Sequence, residues 1–166
     1  MSKKSRLQLD DFLPYRISVL ANTISSALAG AYAKRFDLRI PEWRVLAVLG
    51  VYPGSSARQL AQRTAMDKVA VSRAVASLIT QGRVLSRVDD KDRRRTLLRL
   101  SSQGEALLAR IAPLARAYET RLLEQLDRTE REQLEYLLDK LLGRARQLNP
   151  PNEGPPPSVS KEARGR

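Results

Sequence analysis

SSARQLAQRTAMDKVAVSRAVASLITQGRVLSRVDDKDRRRTLLRL, residues 55–100, reads as a helix, a turn, a second helix and a basic hairpin. The second helix, about 67–81, has two unlike faces. Val71, Val75, Leu78 and Ile79 recur at helical spacing on one, and Lys68, Ser72, Arg73 and Ser77 lie on the other. One face can seat on a core while the other meets phosphates and base edges. Two short alternating runs follow, Val84–Val88 and Thr96–Leu100, flanking a tip at 89–95 too charged to be buried. The pattern is that of a winged helix-turn-helix.

Working outward, Ser56 with Gln59 has capping-box spacing for a short helix over 56–63. Residues 64–66 form the turn, Asp67 caps the second helix, and Gly82 ends it in a left-handed conformation. Upstream, Pro41 suits the first position of a helix over 41–51, apolar on most sides through Trp43, Val45, Leu46, Val48 and Leu49, hence central. Before it runs a long helix capped by Asp10 or Asp11, with Pro14 in its first turn. Its apolar set at helical spacing is Ile17, Leu20, Ile24, Leu28, Ala31 and Tyr32; Phe12, Tyr15, Val19, Ala27 and Gly30 form a second partly apolar side, so the helix is expected to pack against more than one neighbour. Downstream, Ser102 with Glu105 opens a helix to about residue 126, bent at Pro113, and Thr129 with Glu132 opens a last helix to about 147. The expected organisation is a flexible basic lead-in at 1–9, one compact region at 10–148, and a disordered Pro-rich tail at 149–166. The fold class is mainly α with a small β-hairpin.

The chain has 166 residues, 42% of them hydrophobic, enough for one good core. A formal net charge of +12 implies an anionic partner. Arg83, Arg87, Lys91, Arg93, Arg94, Arg95 and Arg99 cluster in and around the hairpin. Cysteine and histidine are absent, which removes disulfides, thiol redox sensing, Cys or His metal ligation and imidazole catalysis. Asp89, Asp90 and Asp92 invite comparison with a Mg²⁺ cluster, but their interleaving with Lys91 and three arginines suits a solvated turn with salt bridges. With no P-loop either, the sequence reads as neither an enzyme nor a holder of metal or cofactor. No signal peptide and no run of roughly 18 apolar residues is evident, so a cytoplasmic protein without a membrane partner is expected.

The major groove admits an α-helix whose early residues reach base edges. Arg73 can fork onto guanine, Lys68 can meet guanine or phosphate, and Val69 can touch a thymine methyl. Hydroxyls at Ser55, Ser56, Thr64 and Ser72 suit phosphate contacts near helix N-termini. Arg94, flanked by Arg93 and Arg95, suits a narrow minor groove. The same outer charges on a lone amphipathic helix would mean only a solvated face; it is the capped helix before and the charged hairpin after that favour DNA. Architectural or nonspecific DNA binding is the alternative.

Residues 67–73 (DKVAVSR), then Asp89-x-x-Asp92-Arg93-Arg94, then 98–101 (LRLS) with Gly104, strongly resemble the MarR family of bacterial transcriptional regulators over about residues 9–148. Through FLPYRISVLAN at 12–22 and IPEWRVLAVLG at 40–50, the chain further resembles a branch controlling catabolism of aromatic acids of hydroxycinnamate and nicotinate types. The resemblance implies a homodimer in which helices at 10–35 and 102–147 interlock while the lobe at 55–100 reads a palindromic double-stranded operator. It implies that Asp92 positions Arg94 for the minor groove, although the C-terminal leucines equally suit a monomer's core. It also implies a small anionic aromatic effector, an acid or its CoA thioester, whose binding releases DNA. Arg16 and Arg44 supply charge for such a ligand, Tyr15 and Trp43 aromatic walls; the bland reading is that Trp43 is core and the others surface groups.

Overall fold

The computed structural model describes residues 7–148. After a 3-10 turn at Leu9–Asp11, helices α1 (Leu13–Phe36), α2 (Ile40–Val51), α3 (Ala57–Thr64) and α4 (Lys68–Thr80) are followed by strands β1 (Val84–Val88) and β2 (Thr96–Leu100), then α5 (Ser102–Leu122) and α6 (Arg128–Leu148). The strands pair antiparallel with Val84 opposite Leu100 and Val88 opposite Thr96. A mainly helical chain with a two-stranded wing is therefore what forms. The expectations for 1–6 and for the tail at 149–166 lie outside the described residues.

The core is built on α2. Val45, Leu46 and Leu49 are fully buried, and Leu60 of α3 and Val71, Ala74, Val75 and Leu78 of α4 pack into the same cluster. Burying a Val or Leu side chain is worth about 1.5–3 kcal/mol, so this shared cluster is what docks α4. Ile79 departs from expectation at 39% exposed. Ala74 takes the inner position, because the face turned to α2 runs 71, 74, 75, 78 and leaves residue 79 on the flank. Alternation then joins the hairpin to the core through Val84, Leu98 and Leu100, while Leu85, Arg87 and Arg99 face outward.

Several helix starts differ from the sequence reading by a residue or two. Asp10 and Asp11 cap nothing: they sit in the 3-10 turn, and the Arg16 N–H reaches the Phe12 carbonyl at 3.1 Å, so α1 begins beyond them. Ser101, not Ser102, caps α5. Its Oγ accepts the Gly104 N–H at 3.1 Å and donates to the Gly82 carbonyl at 2.6 Å, a tie to the end of α4 that spacing alone does not disclose. At α6 the reciprocal pair is Asp127 with Glu130, each side chain accepting the other's N–H at 2.9 Å, in place of Thr129 with Glu132. Asp is the stronger N-cap. The turn before it is held by Arg131, which donates to the carbonyls of Leu123 and Leu126 and stops α5 short of 126. Ser56 and Gln59 do form the box at α3, Asp67 caps α4, and Gly82 has φ +69°.

Arg83 belongs to this framework rather than to the hairpin's outward charge. Its guanidinium donates to the carbonyls of Phe36 at 2.8 Å and Asp37 at 3.1 Å, satisfying the end of α1. At the start of α2, the Glu42 carboxylate accepts the Arg39 backbone N–H at 2.7 Å and the Arg39 guanidinium at 2.7 and 3.2 Å, a cap the sequence reading passed over. Burial alone would raise the Glu42 carboxyl, but the hydrogen bonds and charge of Arg39 hold the group below its ordinary 4.5.

The chain divides into two compact units, one ending at Tyr118 and the other starting at Glu119, inside α5, where the sequence reading draws no boundary. In the first unit, Phe12 and, on α1, Leu13, Tyr15, Ile17, Val19 and Leu20 are exposed. In the second, α6 buries no side chain, and Leu137, Leu138, Leu141 and Leu142 all stand exposed. Both stripes are apolar surfaces without a described neighbour.

Two outcomes follow from the framework. A Cβ at Gly104 would collide with the Arg83 backbone carbonyl, so Gly104→Ala should lower unfolding free energy by about 2 kcal/mol or more in urea titration. Because Glu42 has a depressed pKa when folded, its stabilisation is complete above pH 4.5 and lost as pH falls through the folded value. Wild-type melting temperature should therefore decline below pH 4.5 more steeply than that of Glu42→Gln.

Candidate nucleic-acid interface

The seat on α2 leaves the outer side of α4 to solvent. Asp67 accepts the Ala70 N–H at 2.8 Å, and Ala65, with φ +53°, makes the turn from α3. Lys68, Val69, Ser72 and Arg73 are then exposed together along the first turns of α4. Val69 is 59% exposed; an apolar side chain standing free on a basic face suits a thymine methyl better than water. Ser77, read with this outer face, is only partly exposed, and its Oγ accepts Gln81 Nε2 at 3.1 Å.

The wing tip is folded by its own acids. Asp89 accepts the Lys91 N–H at 3.0 Å and Asp92 accepts the Arg94 N–H at 3.1 Å. Backbone bonds from Asp89 N to the Arg95 carbonyl and from Arg95 N to the Asp92 carbonyl, both 2.8 Å, close the loop. Asp92 thus holds the Arg94 N–H with its carboxylate and the Arg95 N–H with its carbonyl, and leaves the Arg93, Arg94 and Arg95 side chains exposed. Arg87 is paired with Asp90 at 3.4 Å, an exposed pair of small energetic consequence.

The hydroxyls divide differently from expectation. Ser55 is 6% exposed, its Oγ donates to the Tyr52 carbonyl at 2.7 Å, and its backbone bridges to Leu98, so it extends the sheet instead of facing phosphate. Thr64 donates to the Leu60 carbonyl at 2.7 Å. Ser56 is engaged with Gln59 as the α3 cap. Each of these three hydroxyls spends its one proton inside the protein; Ser72 stands exposed on α4. Sequence spacing missed Arg63, whose guanidinium stacks 3.6 Å from the Tyr52 ring and ties the end of α3 to the end of α2.

Of the residues read as ligand contacts, the structure brings together one pair and not the other. Arg44 donates to Ser25 Oγ at 3.0 Å, and Trp43 packs with Tyr32 at a ring separation of 5.5 Å. Tyr32 is 1% exposed, its hydroxyl has no partner, and burial pushes its pKa up to about 12, partly offset by Arg44. Trp43 is therefore joined to the core, as the bland reading had it. Tyr15 and Arg16 lie on the exposed N-terminal part of α1, about 15 Å along the helix from Ser25 at 1.5 Å per residue. Within one chain the two pairs cannot hold one small ligand.

Residues 36–95, from the end of α1 to the wing tip, match the model of the MarR family. A crystal structure of a MarR/EmrR family regulator from Acinetobacter sp. ADP1 superposes with a TM-score of 0.78 at 28% identity, covering 85% of this chain and 99% of that one. Over these residues the chain is similar to MarR-type DNA-binding transcriptional regulators. Among curated relatives, the HTH-type transcriptional regulator BilQ of Clostridium symbiosum is 32% identical over 93 residues, 56% of this chain and 65% of BilQ's own length. Bordetella bronchiseptica BpsR, whose DNA binding is regulated by 6-hydroxynicotinic acid, shares the fold at 20% identity with a TM-score of 0.72 over 82% of this chain and 97% of its own. MarR-family proteins are transcription regulators rather than enzymes, and among the described residues no helix is long and apolar enough to cross a membrane.

The wing geometry generates a test. Asp92→Ala removes the acceptor of the Arg94 N–H from an exposed loop, so stability should change by less than about 0.5 kcal/mol. Affinity for operator DNA, read by fluorescence anisotropy, should nonetheless fall, because Arg94 loses its fixed starting position.

Proposed function

We propose that the protein is a homodimeric repressor of a palindromic operator, released by a small aromatic acid. The observation that carries the DNA half is the pairing, on one compact unit, of the exposed Lys68, Val69, Ser72 and Arg73 face of α4 with an Arg94 whose backbone Asp92 pins. Arg73 and Lys68 read the major groove and Val69 a thymine methyl; Arg94 enters the minor groove, with Arg93 and Arg95 on flanking phosphates. Two such readers joined by the apolar stripes of α1 and α6 would meet half-sites about one helical turn, roughly 34–36 Å, apart. Those stripes are the support for the homodimer: surfaces of this size left to water are unfavourable, and a second copy offers the matching surface.

The effector half rests on Arg44 and its surroundings. Arg44, partly exposed and positioned by Ser25, offers a guanidinium for a carboxylate, and the Tyr32 and Trp43 rings offer an aromatic wall with an unsatisfied hydroxyl. Tyr15 and Arg16 would join this site only from the second protomer's α1. The 6-hydroxynicotinic acid that regulates BpsR is an acid of the class these residues suit. Ligand at Arg44 and Trp43 acts on α2, the helix that carries α4, and favours a spacing of recognition helices that no longer matches successive major grooves; by linkage, DNA weakens ligand binding to the same degree.

Footprinting should protect one discrete palindrome rather than DNA at large; uniform protection would fit the nonspecific alternative. Arg73→Ala should cost roughly 1–3 kcal/mol of operator affinity and relax specificity at one base pair, whereas Arg94→Ala should weaken binding more evenly and flatten the salt dependence. Wild-type affinity in both variants would refute the interface. A panel of hydroxylated benzoates, cinnamates and pyridine carboxylates with their CoA thioesters should contain a compound that lowers operator affinity, and Arg44→Ala should abolish that response.

A further inference from the structure

Arg83 sits where the ends of α1, α4 and α5 meet the start of β1. Gly82, at φ +69°, follows the end of α4, and the Arg83 N–H closes that end on the Leu78 carbonyl at 2.8 Å. From there the side chain crosses to α1, donating to the Phe36 carbonyl at 2.8 Å and the Asp37 carbonyl at 3.1 Å, 47 and 46 residues away along the chain. Its own carbonyl accepts the Ser101 N–H at 3.0 Å, and the Ser101 hydroxyl donates to the Gly82 carbonyl, so the start of α5 is fastened to the same two residues. Phe36 is held by α5 as well, through its ring, which lies 4.9 Å from the Arg110 guanidinium.

Satisfying two carbonyls does not require this arrangement. The last carbonyls of a helix can be met by water, and Asp37 is exposed to it. A water satisfies a carbonyl without tying it to anything, whereas a guanidinium rooted at the end of α4 fixes one helix relative to the other. Its planar fork makes two bonds in one orientation, and the negative end of the α1 dipole favours its charge. The cap at the reading end of α4, Asp67 on the Ala70 N–H, is by contrast local.

The directional fastening of α4 is therefore remote from the bases. Thr80, the last residue of α4, lies about 18 Å from Lys68 along the axis at roughly 1.5 Å per residue. A tilt of about 5° at that end moves Lys68 by about 1.6 Å, and opposite movements in two lobes add to about 3 Å, close to the roughly 3.4 Å between successive base pairs. The helix at the other side of the link, α1, carries the exposed apolar stripe of the proposed dimer seam.

Resting on the homodimeric, operator-reading function above, we infer that Arg83 is a positioning residue for half-site spacing: by bonding the end of α4 to the end of α1, it fixes the reading helix to the helix that meets the second copy. Lys68, Val69, Ser72 and Arg73 settle which bases are read, and Arg83 settles how far apart the two readings lie.

The test uses the full chain, a palindromic duplex enriched by the wild type from random DNA, versions of it with one base pair inserted or removed at the centre, and a duplex with a single half-site. Affinities are read by fluorescence anisotropy. For the wild type, either change of spacing should lower affinity at least about tenfold, since it shifts and rotates one half-site against the other. Arg83→Met keeps the stem and removes the donors; circular dichroism should show unchanged helix content, because water replaces the guanidinium at both carbonyls. Its preference for the original spacing should shrink to about threefold or less, while its affinity for the single half-site stays within about twofold of wild type. The preference is a ratio within one protein, so the lost positive charge cancels from it. Arg83→Ala should repeat the result, and Arg83→Lys, which keeps the charge and an ammonium donor, should recover part of the preference. A spacing preference within about twofold of wild type in both Arg83→Met and Arg83→Ala overturns the inference while leaving the proposed function standing. Equal losses on every duplex, the single half-site included, also overturn it, since they mark a fall in folded protein. A wild type that enriches no palindrome overturns the proposed function, and the inference with it.

Discussion

The burial of one face of α4 against α2 is the constraint on which the other features depend. Val71, Ala74, Val75 and Leu78 have to meet Val45, Leu46 and Leu49 to leave water, and a 13-residue helix so seated has no freedom about which side remains outside. Lys68, Ser72 and Arg73 are outside because the apolar residues are inside. The hairpin joins the same core through Val84, Leu98 and Leu100, so the wing and the recognition helix are placed by one cluster.

Onto this apolar frame the protein adds directional contacts that tune position. Arg83 ties the end of α4 to the end of α1, Ser101 ties the start of α5 to Gly82, and Gly104 lets α5 approach the Arg83 backbone. Arg63 and Tyr52 join α3 to α2. Each uses a polar group that composition would assign to the surface. In a chain with a formal charge of +12, several arginines are thereby withdrawn from the anionic partner and made part of the scaffold. The charge that meets DNA is consequently narrower than the total, concentrated on α4 and the tip beyond Asp92.

Much of the fold was legible along the chain because periodicity and capping are local. The strands were bounded to the residue, since alternating runs flank a tip that could not be buried. The caps at Ser56 and Asp67 and the left-handed Gly82 followed from side-chain chemistry within three or four residues. The reading failed where a distant group competed. Ser102 lost the cap to Ser101 because Gly82 accepts the Ser101 hydroxyl, and Ser55 became sheet because Leu98 lies beside it. By spacing alone Tyr32 is one apolar position among several, and nothing local marks its unpartnered hydroxyl or its approach to Trp43.

By itself, then, the sequence determined that a basic helix with one apolar face would be followed by an acid-pinned arginine hairpin, because both depend on residues a few positions apart. It determined the chemistry available to DNA for the same reason. Only the tertiary structure decided which polar groups remain to use it. Three of the four candidate hydroxyls are spent internally, Arg83 serves α1, and Glu42, a surface acid by composition, lies buried and bound to Arg39. Hydrogen bonds between residues tens of positions apart form only once hydrophobic burial has brought their helices together, and no local pattern encodes them.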